Sequence, residues 1–414
     1  MRFGFFLILI FTLSNAYGQI DTRRLDDYQL KIVVISPGVE IYMWWGHIAL
    51  IVEDTRFNTS RLYNWGMFTY PGDSFLRDFI DGKVQYMCIA AYIDVEEFIN
   101  EGWGITAYTL DPDRKTKEII LSYAEESIQE ENRYYDYREY SDNCSTRIRD
   151  MIDMGTGGQF KAAVESMSRQ YTIRQYIRRF TFSKPVSDWI LNFLMGQNLD
   201  KKVTPWEGMF LPEEVARNIA VFSYTDESGF KRKFVSSEET FNISENGTAI
   251  PDKAPAAWPL SLAAGIFLAV LFFLINVLRK KHQRAGRMLW GISQSLLGLF
   301  LGVLGCILFM GLFYMNDEMI RQNINILFIN PLLLFIVPSG IITAVKKQSL
   351  PKADRFLRVI WTYVFIAGCI TMLLKFLPFF YQQNQNVHGL TLPVAFVLSK
   401  FPEKIRQRYK IPSV

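Results

Sequence analysis

From Trp258 onward the chain is built of long apolar runs, and no other feature limits its fold as tightly. Trp258 to Leu278, Met288 to Tyr314, Ile324 to Val345 and Phe356 to Pro378 each approach or exceed the roughly 20 apolar residues a helix needs to cross a bilayer. A shorter piece, Leu390 to Phe401, follows. Backbone amides in hydrocarbon must be satisfied within their own segment or within a closed barrel, so runs of this length read as helices. An all-α transmembrane bundle of about five helices is therefore predicted for 258–414. Loop charge orients it. The stretches Arg279 to Arg287, Lys346-Lys347 and Lys404 to Lys410 are basic, whereas the loops after the second and fourth runs carry almost no Lys or Arg. Basic loops stay cytoplasmic, which puts the C-terminus inside and everything before Trp258 outside. Five spans satisfy that arrangement; four spans plus a re-entrant or interfacial last segment is the alternative.

The other end agrees. Met1-Arg2, an apolar run from Phe3 to Leu13, and small residues at Ala16 and Gly18 form a secretory signal peptide over 1–18, with cleavage expected after Gly18. Residues 19–257 then read as an exported globular domain, with mixed charge, many aromatics and no run long enough to span. The 50 % hydrophobic and 21 % charged residues are thus an average of two unlike halves. A net charge of +4, from 45 Lys+Arg against 41 Asp+Glu, is too slight to suggest a nucleic-acid partner.

Within 19–257, Leu30 to Ser36, His47 to Glu53, Arg61 to Phe68 and Lys83 to Tyr92 have the β-branched, aromatic or alternating character of strands. Leu110-Asp111-Pro112 opens a helix predicted near Lys115 to Asn132, from the spacing of Ile119, Ile120, Tyr123, Ala124 and Ile128. A second helix is expected to start at Cys144, and Gly155 to Gly158 reads as its stop. Strands followed by helices make this an α+β domain.

Candidates for chemistry are few. Of three histidines, His282 falls in a cytoplasmic loop, leaving His47 in the exported domain and His388 in an outer loop. Of four cysteines, Cys306 and Cys369 lie in apolar runs, and none has metal-ligand spacing, so no metal or other cofactor is expected. Cys144 sits in Ser141-Asp142-Asn143-Cys144-Ser145-Thr146-Arg147, where Asp142 or Asn143 can cap the following helix. In that first turn, unpaired N–H groups and the positive end of the dipole favour a thiolate, with Arg147 adding charge. A nucleophilic cysteine needs a base, and His47 is the candidate. Residue types alone allow equally that His47 is a satisfied polar residue at a strand end and Cys144 a packed side chain or a disulfide partner of Cys88.

A resemblance bears on this choice. Trp45-Gly46-His47-Ile48-Ala49-Leu50, Tyr63-Asn64-Trp65-Gly66-Met67-Phe68, Gly82 with Tyr86, and Glu131 to Tyr137 leading into Asp142-Asn143-Cys144-Ser145-Thr146-Arg147 resemble the motif string of the Lnb N-terminal periplasmic domain family. The apolar remainder resembles that family's multi-span region. Gly102-Trp103-Gly104-Ile105 departs from it, being less basic and polar than expected. The resemblance implies an inner-membrane apolipoprotein N-acyltransferase of a Gram-negative bacterium, with Cys144 and His47 catalytic. The order of histidine on a strand and cysteine on a later helix is also similar to permuted NlpC/P60-like, papain-type thiol enzymes. The partners implied are a phospholipid acyl donor, a diacylated apolipoprotein acceptor and the inner membrane.

The chemistry is consistent with that implication: a thiolate can take an acyl chain from an ester and pass it to an amine, splitting one hard step into two. Asn64 is the candidate orienter of the imidazole, since a hairpin partner strand can place it beside His47; the alternative is a turn residue. Tyr63, Arg147 and Lys375 are the candidate substrate-binding residues, Lys375 lying where the outer end of a span meets lipid phosphate, although such a lysine also snorkels. Two other classes remain open: an anchored NlpC/P60-like cell-wall peptidase, which would use the same Cys and His without needing five spans, and a non-catalytic anchored binding protein, which would need neither.

Overall fold

The computed structural model describes residues 20–68, 81, 84–100, 102–242, 250–315, 319–346 and 351–400. The expected signal peptide, the motif residue Gly82 and the basic C-terminal tail lie outside the described residues. The chain forms two compact units, one of residues 1–180 and 202–252, the other of 181–201 and 253–414.

The first unit is α+β. Its strands are β1 (Tyr28–Ile35), β2 (His47–Asp54), β3 (Thr59–Phe68), β4 (Gln85–Ile93), β5 (Ile105–Leu110), β6 (Tyr134–Asp136), β7 (Ser223–Thr225), β8 (Lys231–Lys233) and β9 (Val235–Phe241). Seven of them make one antiparallel sheet in the order β6-β4-β3-β2-β1-β5-β9, and β7 pairs with β8 apart from it. β1 to β4 coincide with the four predicted strands to within two residues at either end. Alternation along them feeds two cores. Ile48, Leu50, Val52, Tyr63, Trp65 and Cys88 join the larger one with Ile120, Leu121, Ile148 and Ile152 from the two predicted helices, Arg114–Glu126 and Cys144–Gly155. Ala49, Ile51 and Leu62 join Phe98 and Ile105 in the smaller one. Stripes of apolar residues that two helices bury against one sheet face are what hold such a layer together.

The first helix ends at Glu126, short of Asn132, and Asp113 caps its start by accepting from Thr116 N–H at 2.8 Å. The Cys144 helix begins where expected, and Gly157 and Gly158, both at positive φ, turn the chain after it.

Among the described residues of the second unit three helices are long and apolar enough to cross a membrane: Trp258–Lys281, Arg284–Phe313 and Pro351–Leu374. The other two expected spans differ from the expectation. Ile324 to Val345 is not one continuous helix: it breaks into 3-10 turns at Ile324–Leu327 and Pro331–Phe335 before an α-helix, Ile336–Val345. Asn323 and Asn330 each fold a side chain onto the N–H two residues ahead, and Pro331 starts a new turn with no N–H to donate, so the chain restarts twice. The last helix runs Gln385–Lys400, five residues earlier at its start than the expected apolar piece.

Within the expected exported segment 19–257, residues 181–201 pack with the second unit. The Pro185–Leu194 helix leaves its last carbonyls without intrahelical partners, and polar side chains of the membrane unit take them. Asn323 Nδ2 donates to Phe193 O at 2.8 Å and Leu194 O at 2.9 Å, Asn325 Nδ2 to Phe193 O at 3.0 Å, and Gln382 Nε2 to Met195 O at 2.9 Å.

Candidate active site

The nucleophile position is built by Asn143. Its Oδ1 accepts from Ser145 N–H at 2.9 Å and Thr146 N–H at 3.0 Å, while Thr146 Oγ1 accepts the Asn143 N–H at 2.7 Å, closing a capping box. Its Nδ2 donates to Glu139 O at 2.8 Å and Phe210 O at 2.9 Å. Aspartate would cap as well but has no amide protons for those two carbonyls, so asparagine alone fits. The cap takes the N–H groups of Ser145 and Thr146 and leaves that of Cys144, the first helical residue, pointing out of the ladder. Cys144 is half-buried and Cys88 buried, and both are free thiols, which removes the disulfide alternative.

His47 opens β2 directly after Gly46, whose φ of 76° belongs to the left-handed region and whose Cα faces Ile35 O so closely that a Cβ would lie 2.5 Å from that oxygen. Only glycine turns the chain this sharply into the strand. On the neighbouring strand β3, a bulge against β4 between Asn64 and Met67 frees the local register. There Asn64 Oδ1 receives two donors, the Gly66 N–H at 2.7 Å and His47 Nε2 at 2.8 Å. An amide N–H only donates, so the Asn64 atom facing it is the carbonyl oxygen, and Nε2 of His47 must carry its proton. The neutral imidazole then presents Nδ1 as its basic nitrogen. Gly66 leaves room for the ring: a Cβ there would overlap His47 Cε1 and stand 3.1 Å from both ring nitrogens.

His47 and Cys144 are electrostatic neighbours, and each shifts the other. Burial opposes the charged form of Cys144, but the charge and hydrogen bond of His47, with the Ser145 hydroxyl and the Ile48 backbone N–H, outweigh it and hold the thiol below its ordinary range. Burial likewise opposes the charged form of His47; the Cys144 thiolate, its hydrogen bond and that to Asn64 outweigh it and raise the imidazole. Both shifts move the pair toward thiolate and imidazolium, the state in which sulfur is a nucleophile and the ring an acid.

The remaining candidates sit differently. Tyr63 is fully buried, with its hydroxyl donating to Glu125, which also pairs with Arg61 at 2.6 Å; its side chain belongs to the core and not to an open site. Arg147 grips Asp142 through two bonds of 2.6 and 2.8 Å and lies over the Tyr135 ring, so its charge is matched by Asp142. Lys375 directly follows the Pro351–Leu374 helix of the membrane unit and is partly buried. His388 is buried in that unit with Nε2 on Thr371 Oγ1 at 2.8 Å and Nδ1 on Asn384 O at 2.9 Å, both nitrogens engaged. Gly66, which makes room for the His47 ring, lay inside the motifs without being singled out, whereas Asn143 is the cap that the sequence offered alongside Asp142. Among the described residues no group of three His, Cys, Asp or Glu is arranged to hold a metal ion.

Comparison with known families gives two matches. The Lnb N-terminal periplasmic domain matches residues 16–179, and the Lnb transmembrane domain, a five-helix unit, matches residues 255–400. Neither curated proteins nor solved structures give a significant match. The two domains in this order point to a multi-pass inner-membrane protein that processes lipoproteins, with its N-terminal domain in the periplasm. The chain belongs to the Lnb family, its periplasmic and transmembrane domains both present.

Proposed function

We propose that this protein is an apolipoprotein N-acyltransferase working through a thioester at Cys144. The observation that carries the reading is the set Cys144, His47 and Asn64, with Cys144 at a capped helix start, coupled in charge to His47, and His47 hydrogen-bonded to Asn64. Cys144 gives its proton to His47 Nδ1, and the thiolate attacks an ester carbonyl of a phospholipid. A C–S bond forms, the ester C–O bond breaks, and the Nδ1–H proton goes to the departing alkoxide, releasing a lysophospholipid. The α-amine of a diacylated lipoprotein cysteine then attacks the thioester, giving its proton to His47 as the C–S bond breaks and the amide forms.

Two features support a lipid donor over a water-soluble one. The loop that delivers His47 exposes Val39, Ile41 and Tyr42, at 69 %, 64 % and 54 % of their surface, which is unusual for three large apolar residues so close together. The loop is also ordered by its own backbone bonds, Gly38 N to Met43 O at 2.8 Å and Gly46 N to Met43 O at 3.1 Å. The membrane domain in turn keeps the enzyme where both lipid substrates reside. In this reading Lys375 faces lipid phosphate, and Arg147 acts by holding Asp142.

The test is mass spectrometry of lipoprotein N-termini in cells lacking the protein and in cells regaining it. Triacylated N-termini should disappear and return. Unchanged N-termini would remove the assignment.

A further inference from the structure

Acyl transfer puts negative charge on a carbonyl oxygen, and the Cys144 N–H supplies one donor for it; a second donor is needed where the chain is rigid and not already bonded. Among the described residues the charge of the Cys144 sulfur bears on three phenols, Tyr86, Tyr135 and Tyr137. Tyr135 is committed, its hydroxyl donating to Trp65 O. Tyr86 lies between Phe68, at 5.6 Å, and Tyr137, at 4.0 Å, and its next neighbour in charge is Glu139 ahead of Cys144.

Tyr137 remains. The backbone bonds Arg138 N to Asp142 O at 2.9 Å and Asp142 N to Arg138 O at 3.1 Å fold the chain back on itself, so that Tyr137 stands across from Asn143, next to Cys144. Its own N–H is tied to Val84 O at 2.9 Å, and its ring stacks on Tyr86 at an angle of 24°. Among the described residues its hydroxyl meets no acceptor. Burial first, then the Cys144 charge, keep the phenol protonated well above its ordinary value, so it can only donate while the thiolate exists.

We infer that the Tyr137 hydroxyl is the side-chain donor of the oxyanion site, sharing the developing charge with the Cys144 N–H. The inference rests on the acyl-transfer reading. As the thiolate forms its C–S bond, the carbonyl π electrons move onto oxygen, and the Tyr137 O–H shortens its hydrogen bond to that oxygen without giving up the proton. When the C–O bond of the leaving group breaks, the carbonyl re-forms and the bond relaxes.

The experiment compares wild type and Tyr137→Phe, full chain in nanodiscs, in two reactions of Cys144. One is the acylation burst with p-nitrophenyl butyrate, which passes through an oxyanion. The other is alkylation by iodoacetamide, which forms none, read at the Cys144 peptide by mass. Phenylalanine keeps the stack on Tyr86. The burst rate should fall about 100-fold, the loss typical of one oxyanion donor, with alkylation within about twofold of wild type. A burst within about threefold of wild type overturns the inference, and so does an equal fall in both reactions, which would make Tyr137 a positioning residue for the thiolate. If wild type reacts with the nitrophenyl ester but not with phospholipid, the lipid-donor reading fails while the Tyr137 comparison is still decided.

Discussion

His47 Nε2 donates to Asn64 Oδ1 at 2.8 Å, across the β2–β3 pair, while the same oxygen holds the Gly66 N–H at 2.7 Å. One amide thereby fixes the tautomer of the base and ties it to β3, the neighbour of the strand that carries it. Asn64→Ala should slow acyl-enzyme formation about 10- to 100-fold, a share of what general acid–base catalysis contributes in full. Asn64→Asp keeps an acceptor for Nε2–H and should retain most of the activity. Equal loss in both variants would show that the acceptor at residue 64 is not what matters.

Gly66 should prove as sensitive as a catalytic residue. A single added methyl in Gly66→Ala overlaps the imidazole, which must swing away from Asn64 and Cys144. We expect at least a 100-fold loss of acylation, with normal insertion and a thiol that alkylates like an ordinary cysteine. Wild-type alkylation kinetics in this variant would contradict the packing of His47 on Gly66.

The pH dependence should separate the two halves of the pair. Cys144 is held below the ordinary thiol range and His47 above the ordinary imidazole range, and both shifts favour the thiolate–imidazolium form that the account requires. Alkylation should therefore rise once, at a pH below the roughly 8.5 of a free cysteine, and stay level above it. Acylation by phospholipid also needs the imidazolium proton, so it should rise with alkylation and fall again as pH passes the upper value. Both values belong to the pair. An alkylation midpoint near that of free cysteine would show that His47 does not stabilise the thiolate.

Topology offers an independent check on the membrane domain. Reporters fused after Arg287, after Lys347 and at the C-terminus should read cytoplasmic, and those near Asp317 and Asn384 periplasmic. A periplasmic C-terminus would leave four crossings.

The sequence showed β1 to β4 and the start of the Cys144 helix because their signals are local: period-2 apolar residues on the strands, and Asn143 ahead of Thr146 at the cap. The strand β9 escaped because its residues Ser236 to Glu239 are polar and solvent-facing, and its partner β5 lies some 130 residues away in register, Thr106 against Thr240. Alternation along β3 sends Tyr63 and Trp65 into the core and leaves Asn64 between them to face His47. The break in the third apolar run is encoded by Asn323, Asn330 and Pro331, local stops inside a run whose length and hydropathy alone would suffice for a span. Nothing in 181–201 marks it as part of the membrane unit, because the contacts that hold it there are its backbone carbonyls, which every sequence has.

The most direct test of the account is the covalent intermediate. Full-length protein incubated with phospholipid and no amine acceptor should gain the mass of one acyl chain at Cys144, released by neutral hydroxylamine and absent in Cys144→Ala, while Cys88→Ala, which alters only a buried thiol, should still gain it. An unchanged intact mass under conditions that support turnover, or an acyl group at Cys88 instead, would contradict it.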